Sequence, residues 1–166
     1  QDTQKKFGDT SIYFDGTDDY LTLPASSDWD SVAYTSGTTG DFTVDFWVYY
    51  TAGSTPHTIY DYGYIASGSL LIQTGRETSP KLHAYSGTSV EAVEISGATI
   101  NTWHHYAVVR SSGVLKIFRD GIETATSVTF TGVISTQTLS PTIGIKAGTT
   151  SYELTGYLDE FRYSKG

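Results

Sequence analysis

The sequence predicts an all-β fold, two antiparallel sheets packed face to face, and three observations carry the prediction. Apolar residues alternate with polar ones in short runs, most clearly in Asp41-Phe42-Thr43-Val44-Asp45-Phe46-Trp47-Val48-Tyr49, where Phe42, Val44, Phe46 and Val48 share one face. The chain is rich in residues that favour strands and turns, with 13 Tyr, 7 Phe, 3 Trp, 17 Gly and abundant Thr and Ser. Runs of helix formers at helical spacing are missing.

The elements follow in order. Ile12 and Phe14 alternate with Ser11 and Tyr13, Asp15-Gly16 breaks the run, and Tyr20 to Pro24 resumes it, which reads as a hairpin. A polar loop from Ala25 to Gly40 carries Trp29 and Tyr34 and precedes the main strand, Asp41 to Tyr49. Gly53 to Pro56 is a break, Thr58-Ile59-Tyr60 a short strand, and Asp61 to Ser69 a loop with two more tyrosines. Strands are then expected at Leu70–Gln73, Lys81–Tyr85, Val90–Ile95, Trp103–Arg110 and Val114–Arg119. Asp120-Gly121 supplies the pair of positive φ angles that a two-residue type I′ hairpin requires, so Ile122 begins the return strand. Thr142–Ile145 and Tyr157–Tyr163 complete roughly a dozen strands, enough for two sheets.

The 166 residues fit one domain, 1–166, with no internal repeat and no linker. The chain has no methionine, so Gln1 is not an initiator position and the sequence is expected to be processed or part of a longer polypeptide. The absence of cysteine excludes disulfides and CxxC zinc or redox sites. A net charge of −8 opposes binding to a phosphate backbone, which draws its affinity from clustered Lys and Arg. No apolar run is long enough to span a bilayer, so neither nucleic acid nor membrane is an expected partner.

Six fragments in a fixed order carry a family resemblance: Phe14-Asp15-Gly16 with Asp19-Tyr20-Leu21; Phe42 to Val48; Trp103-His104-His105-Tyr106 to Arg110; Leu115 to Gly121; Ile143-Gly144; and Gly156 to Arg162. In this order they resemble the laminin-G-like jelly rolls of the concanavalin A-like lectin and glucanase superfamily, over nearly the whole chain. The wording around Gly40–Tyr49 and at Phe161–Gly166 is similar to copies in virion proteins of tailed phages. The resemblance implies a module on a virion or other extracellular surface that touches carbohydrate, or a decoration or fibre subunit that contacts neighbouring virion protein and forms homo-oligomers.

Catalysis is not expected. A glucanase of this kind needs carboxylates at alternate positions of one strand so that acid and nucleophile flank one glycosidic bond, and no Glu-x-Asp-x-Glu stretch exists. There is no G-x-S-x-G elbow, and His104 and His105 read as packed or rim residues. Lys146-Ala147-Gly148 is similar to a short piece of jelly-roll alginate lyases, but Gly144 stands where those have tyrosine.

Sugar binding uses aromatic rings that stack on the C–H faces of pyranoses, with polar side chains nearby for the hydroxyls. Two sets are candidates: Asp45, Trp47 and Tyr49 on the non-core face of the main strand, and Tyr60, Asp61, Tyr62 and Tyr64 in the expected loop. Asp159 shares the alternation register of Tyr157, Phe161 and Tyr163, so simple alternation puts a carboxylate among core aromatics, where it requires a partner. Arg110 or Arg162, backbone N–H groups, or a bound Ca²⁺ would serve. The resemblance implies a structural calcium held by Asp159 and the Gly16 carbonyl, with a third ligand near Asp9.

Overall fold

The computed structural model describes residues 4–35, 40–63, 66–75, 78–87 and 89–166, and for Val90 and Glu91 the backbone alone. Among these residues the strands are β1 (Ile12–Asp15), β2 (Leu21–Thr22), β3 (Phe42–Tyr50), β4 (Thr58–Tyr62), β5 (Leu70–Thr74), β6 (Leu82–Ser86), β7 (Ser89–Val93), β8 (Trp103–Ser111), β9 (Val114–Arg119), β10 (Ile122–Glu123), β11 (Val128–Thr129), β12 (Thr142–Ile143) and β13 (Thr155–Lys165). They form two antiparallel sheets: a seven-stranded one ordered β1-β13-β3-β8-β9-β10, with β11 also on β9, and a six-stranded one ordered β2-β12-β4-β5-β6-β7. Among the described residues a single 3-10 turn spans Ser27–Trp29. None of the described helices is long and apolar enough to cross a membrane.

Alternation decides which side of each strand is buried. Phe42, Val44, Phe46 and Val48 of β3, which the sequence places on one face, are buried between the sheets, together with Val108 of β8, Ile117 of β9, Leu158 of β13 and Phe14 of β1. Phe46 stacks between Tyr106 and Phe161, with ring centroids 5.7 and 6.3 Å away. Burying one such side chain contributes about 1.5–3 kcal/mol. Arg110 is also fully buried. Its guanidinium donates to the carbonyls of Val32, Gly40 and Gly132 and to Ser31 Oγ, and its Cζ lies 5.1 Å from the Phe42 ring centroid. Burial lowers its pKa, yet this lining of carbonyl oxygens accommodates the cation.

The turn at Asp120-Gly121 has both φ angles positive, 53° and 81°, as a type I′ hairpin demands. The first predicted hairpin is not one: β1 pairs with β13 and β2 with β12, in different sheets. Between them Thr17 N–H bonds the Asp15 carboxylate (2.7 Å) and Asp15 N–H bonds Asp19 (3.0 Å), holding a crossing turn. Leu21, an apolar residue of the predicted Tyr20–Pro24 strand, is 39% exposed because β2 is a two-residue edge strand.

A second departure lies in β13. Asp159 is opposite Trp47 and Arg162 is opposite Asp45, so two residues of β13, Glu160 and Phe161, face one residue of β3, Phe46. Glu160 is the extra residue of this β-bulge, with φ 51°. The bulge changes the phase of the strand. Tyr157 and Asp159 face outward, whereas Phe161 and Tyr163 pack into the core against Phe46, Phe42 and Tyr60. Asp159 is therefore not a carboxylate among core aromatics.

Candidate functional site

Antiparallel pairing places directly opposed side chains next to each other on one face of a sheet. On the outer face of the seven-stranded sheet, Tyr13 is opposite Tyr157, Tyr157 opposite Tyr49, and Tyr49 opposite Trp103. The result is a row of four aromatic rings across β1, β13, β3 and β8, with successive centroids 4.7, 5.9 and 5.7 Å apart. Such ring pairs contribute about 0.5–1.5 kcal/mol each beyond the area they bury. Tyr13, Tyr49 and Trp103 are half-buried, and Tyr157, between two neighbours, is 8% exposed.

One step along the strands comes a second row, Asp159, Trp47 and His105. Trp47 and His105 are in ring contact at 5.1 Å. The segment before β1 lies over this row: Lys6 Nζ sits 4.1 Å from the Trp47 ring centroid and Phe7 meets the indole edge-on at 5.6 Å. Asp159 holds the segment in place, since its Oδ2 accepts the backbone N–H groups of Lys6 (3.2 Å) and Phe7 (3.1 Å) while Oδ1 accepts that of Glu160 (2.9 Å). A third row begins with Arg162 and Asp45. Arg162 Nη2 and Nε lie 2.6 and 3.0 Å from Asp45 Oδ1, and His105 Nε2 is 3.6 Å from the same oxygen. The Asp45 carboxylate, in turn, raises the pKa of Arg162.

Of the first predicted set, Asp45, Trp47 and Tyr49 do occupy the outer face, each in a different condition: Asp45 is ion-paired, Trp47 is covered, and Tyr49 belongs to the aromatic row. The second set is not a loop. Asp61 and Tyr62 belong to β4, an interior strand paired with β12 and β5, and Tyr60, Asp61 and Tyr62 are fully buried. Tyr60 and Tyr62 face the core, where burial raises both pKa values, and the Tyr62 hydroxyl donates to Asp30 (2.9 Å). Asp61 Oδ2 accepts the N–H of Ala147 at 3.0 Å. Tyr64 lies outside the described residues.

The partner of Asp159 is backbone N–H; Arg110 is held by carbonyls and Arg162 by Asp45. Gly16 is not brought to it. Asp15 is opposite Thr155, so Gly16 lies at least four strand residues from Asp159, roughly 13 Å at the usual rise. Two oxygens on one calcium must lie within about 5 Å of each other, and the pair does not fit a shared ion. Among the described residues no three His, Asp or Glu side chains gather as a metal site. His104 is buried and its Nδ1 is 2.7 Å from Asp120 Oδ2, while Asp120 Oδ1 accepts the His105 N–H (2.9 Å). Burial alone would raise the Asp120 pKa, but these two bonds outweigh it and lower it. The pair braces the β9–β10 turn. Tyr13, Tyr157, Trp103 and His105 went unseen as site residues because alternation gives the face of a strand but not its neighbours. The order β1-β13-β3-β8 supplies them.

A family model described as the concanavalin A-like lectin/glucanases superfamily matches residues 15–166. The chain belongs to this superfamily. Its jelly-roll sandwich is shared by domains LG4-5 of the mouse laminin alpha1 chain (TM-score 0.64, 12% identity, 93% of this chain and 42% of that one). It is shared too by a candidate carbohydrate binding protein from Bacteroides ovatus ATCC 8483 (TM-score 0.62, 18% identity, 81% and 40%). Domain 4 of AbnA, a GH43 extracellular arabinanase from Geobacillus stearothermophilus solved with arabinotriose, has TM-score 0.59 and 20% identity over 76% of this chain and 61% of that one. The alignments thus span under two thirds of each of these three chains. A search of curated proteins finds no match.

Proposed function

We propose that this superfamily member is a non-catalytic module that binds glycan on its outer aromatic face, displayed on a virion or other extracellular surface. The observation that carries the reading is the row Tyr13, Tyr157, Tyr49 and Trp103, one ring per strand over four adjacent strands. Flat rings offer apolar faces to sugar C–H groups, and phenol hydroxyls offer donors and acceptors at their rims. Two structural neighbours are named for carbohydrate, one of them solved with arabinotriose, which supports the same class of ligand. The carboxylates of the face are engaged, Asp45 by Arg162 and Asp159 by backbone N–H, which speaks for binding without turnover, since a hydrolase needs an acid and a base free to act.

The test is a glycan array read with wild type and Tyr49→Ala. Saturable binding that weakens at least about tenfold in the variant, with its fold intact by circular dichroism, is the expected result. Binding that Tyr49→Ala leaves unchanged, or repeated release of reducing ends from a polysaccharide panel, would overturn it.

A second reading, a phage decoration or fibre subunit packed on neighbouring protein, draws on the edge of the sandwich where β1 and β2 lie. There Ile12 (44% exposed) and Leu21 flank a cavity of about 400 Å³ lined also by Leu23, Trp29, Phe161 and Tyr163. Silence on the array with concentration-dependent assembly in sedimentation would favour it.

A further inference from the structure

Resting on the glycan reading, we infer that the ligand is an extended, uncharged glycan with equatorial linkages that lies across the strands, over about three to four sugar units. The direction follows from what surrounds the row. Along the strands a ligand leaving Tyr49 would meet Trp47 beneath Lys6 and Phe7, then the Asp45–Arg162 ion pair. Across the strands the rings succeed one another at 4.7 to 5.9 Å, a step set by the distance between strands and close to the length of one pyranose in an extended chain.

The length follows from where the row ends. Tyr13 stands on β1, the edge strand. Beyond Trp103 the sheet stops, because the last residue of β9, Arg119, is opposite Tyr106, three residues short of Trp103. Four strands at the usual spacing make a track of about 14 Å. Neighbouring rings are inclined to each other by 41°, 84° and 60°, so a chain that follows the row must stay extended while its units rotate about the chain axis; equatorial linkages allow that, whereas axial linkages would turn the chain away.

The charge class follows from the cations of this face. Lys6 sits on Trp47, Arg162 on Asp45, and Lys116 Nζ is 3.1 Å from Glu123, in a chain of net charge −8. A uronate or sulfate chain would have to compete with these partners, whereas neutral hydroxyls need only the phenols. No protein hydrogen bond occupies the hydroxyls of Tyr13, Tyr49 or Tyr157 among the described residues.

Calorimetry with β-1,4-linked glucose, mannose and xylose oligomers of increasing length tests this, beside α-1,4-linked glucose oligomers and oligogalacturonates. Affinity for at least one neutral β-series should climb to about four units and then level, and exceed that for the other two classes by about tenfold or more. Tyr13→Leu and Trp103→Leu keep apolar bulk at opposite ends of the row, and each should move the plateau to a shorter oligomer. Affinity that ignores length, or that favours the acidic or α-linked series, would overturn the inference. So would an array hit on a compact or branched glycan that Tyr49→Ala abolishes, and each of these leaves the glycan reading standing. Silence from all series and from the array would remove the glycan reading itself.

Discussion

His57 is a buried imidazole with a carbonyl at each nitrogen: Nδ1 lies 3.1 Å from the Glu153 oxygen and Nε2 3.1 Å from that of Ala52. Burial lowers its pKa and outweighs the two carbonyls, which act in the opposite sense. The folded state then resists a proton that the unfolded chain accepts near pH 6.5. The contribution of His57 is complete above that value and is lost as pH falls from it toward the depressed folded value. Melting temperature should therefore decline below about pH 6.5, and His57→Gln should flatten that part of the profile. A decline of equal slope in the variant would assign the effect to other groups. Asp159 teaches the same lesson about partners. Its type and position in the sequence call for a counterpart, but only the path of residues 4–10 across the sheet shows that the counterpart is two amides of that segment.

At the scale of elements, most strands are legible because alternation and turn chemistry agree, as in β3 and in the β9–β10 hairpin. Three misreadings share one cause: local pattern does not report what lies beside a strand. Asp61-Tyr62-Gly63 looks like the start of a polar loop, yet Asp61 and Tyr62 continue a strand flanked on both sides, where Ala147 N–H satisfies the aspartate. Ile12–Asp15 and Leu21–Thr22 look like two arms of a hairpin, yet they serve different sheets. Strict alternation through Tyr157–Tyr163 fails at Glu160, whose left-handed backbone inserts one residue. That conformation is tolerable for Glu and poor for a β-branched residue. Glu160→Val should cost about 1–2 kcal/mol in urea denaturation, while Glu160→Asn should be neutral or slightly stabilising. Equal stability of the two variants would show that the bulge relaxes into another geometry.

The two sheets are also joined by a polar clasp that no periodicity announces. Glu94, between β7 and the following loop, accepts the Leu82 N–H of β6 (2.6 Å) and the Tyr106 hydroxyl of β8 (3.1 Å), and Arg119 Nη1 of β9 is 3.1 Å from its other oxygen. Burial raises the Glu94 pKa, and the Leu82 N–H and Arg119 counter it. Glu94→Ala would strand Arg119, whose side chain is largely buried, and leave the Leu82 N–H unpaired. A loss of about 3–5 kcal/mol is expected from thermal or chemical unfolding. A loss below 1 kcal/mol would mean that water or a rearranged arginine replaces the clasp. The sequence shows the two-sheet architecture through its apolar periodicity, but a clasp formed by residues 12 to 25 positions apart becomes visible only once the sheets are stacked.

The position of Trp103 at one end of the aromatic row also gives the molecule an optical probe. Its three indoles occupy distinct surroundings: Trp103 beside Tyr49, Trp47 beneath Lys6 and Phe7, and Trp29 against Tyr163 at the opposite edge. A sugar resting on the row would change the emission of Trp103 and shield it from acrylamide, while Trp47, already roofed, and Trp29, packed on Tyr163 on the inner side of β13, would keep theirs. Titration of unlabelled protein would thus report occupancy and location together, and a Trp103→Phe variant, still able to stack, would bind while its emission stayed constant.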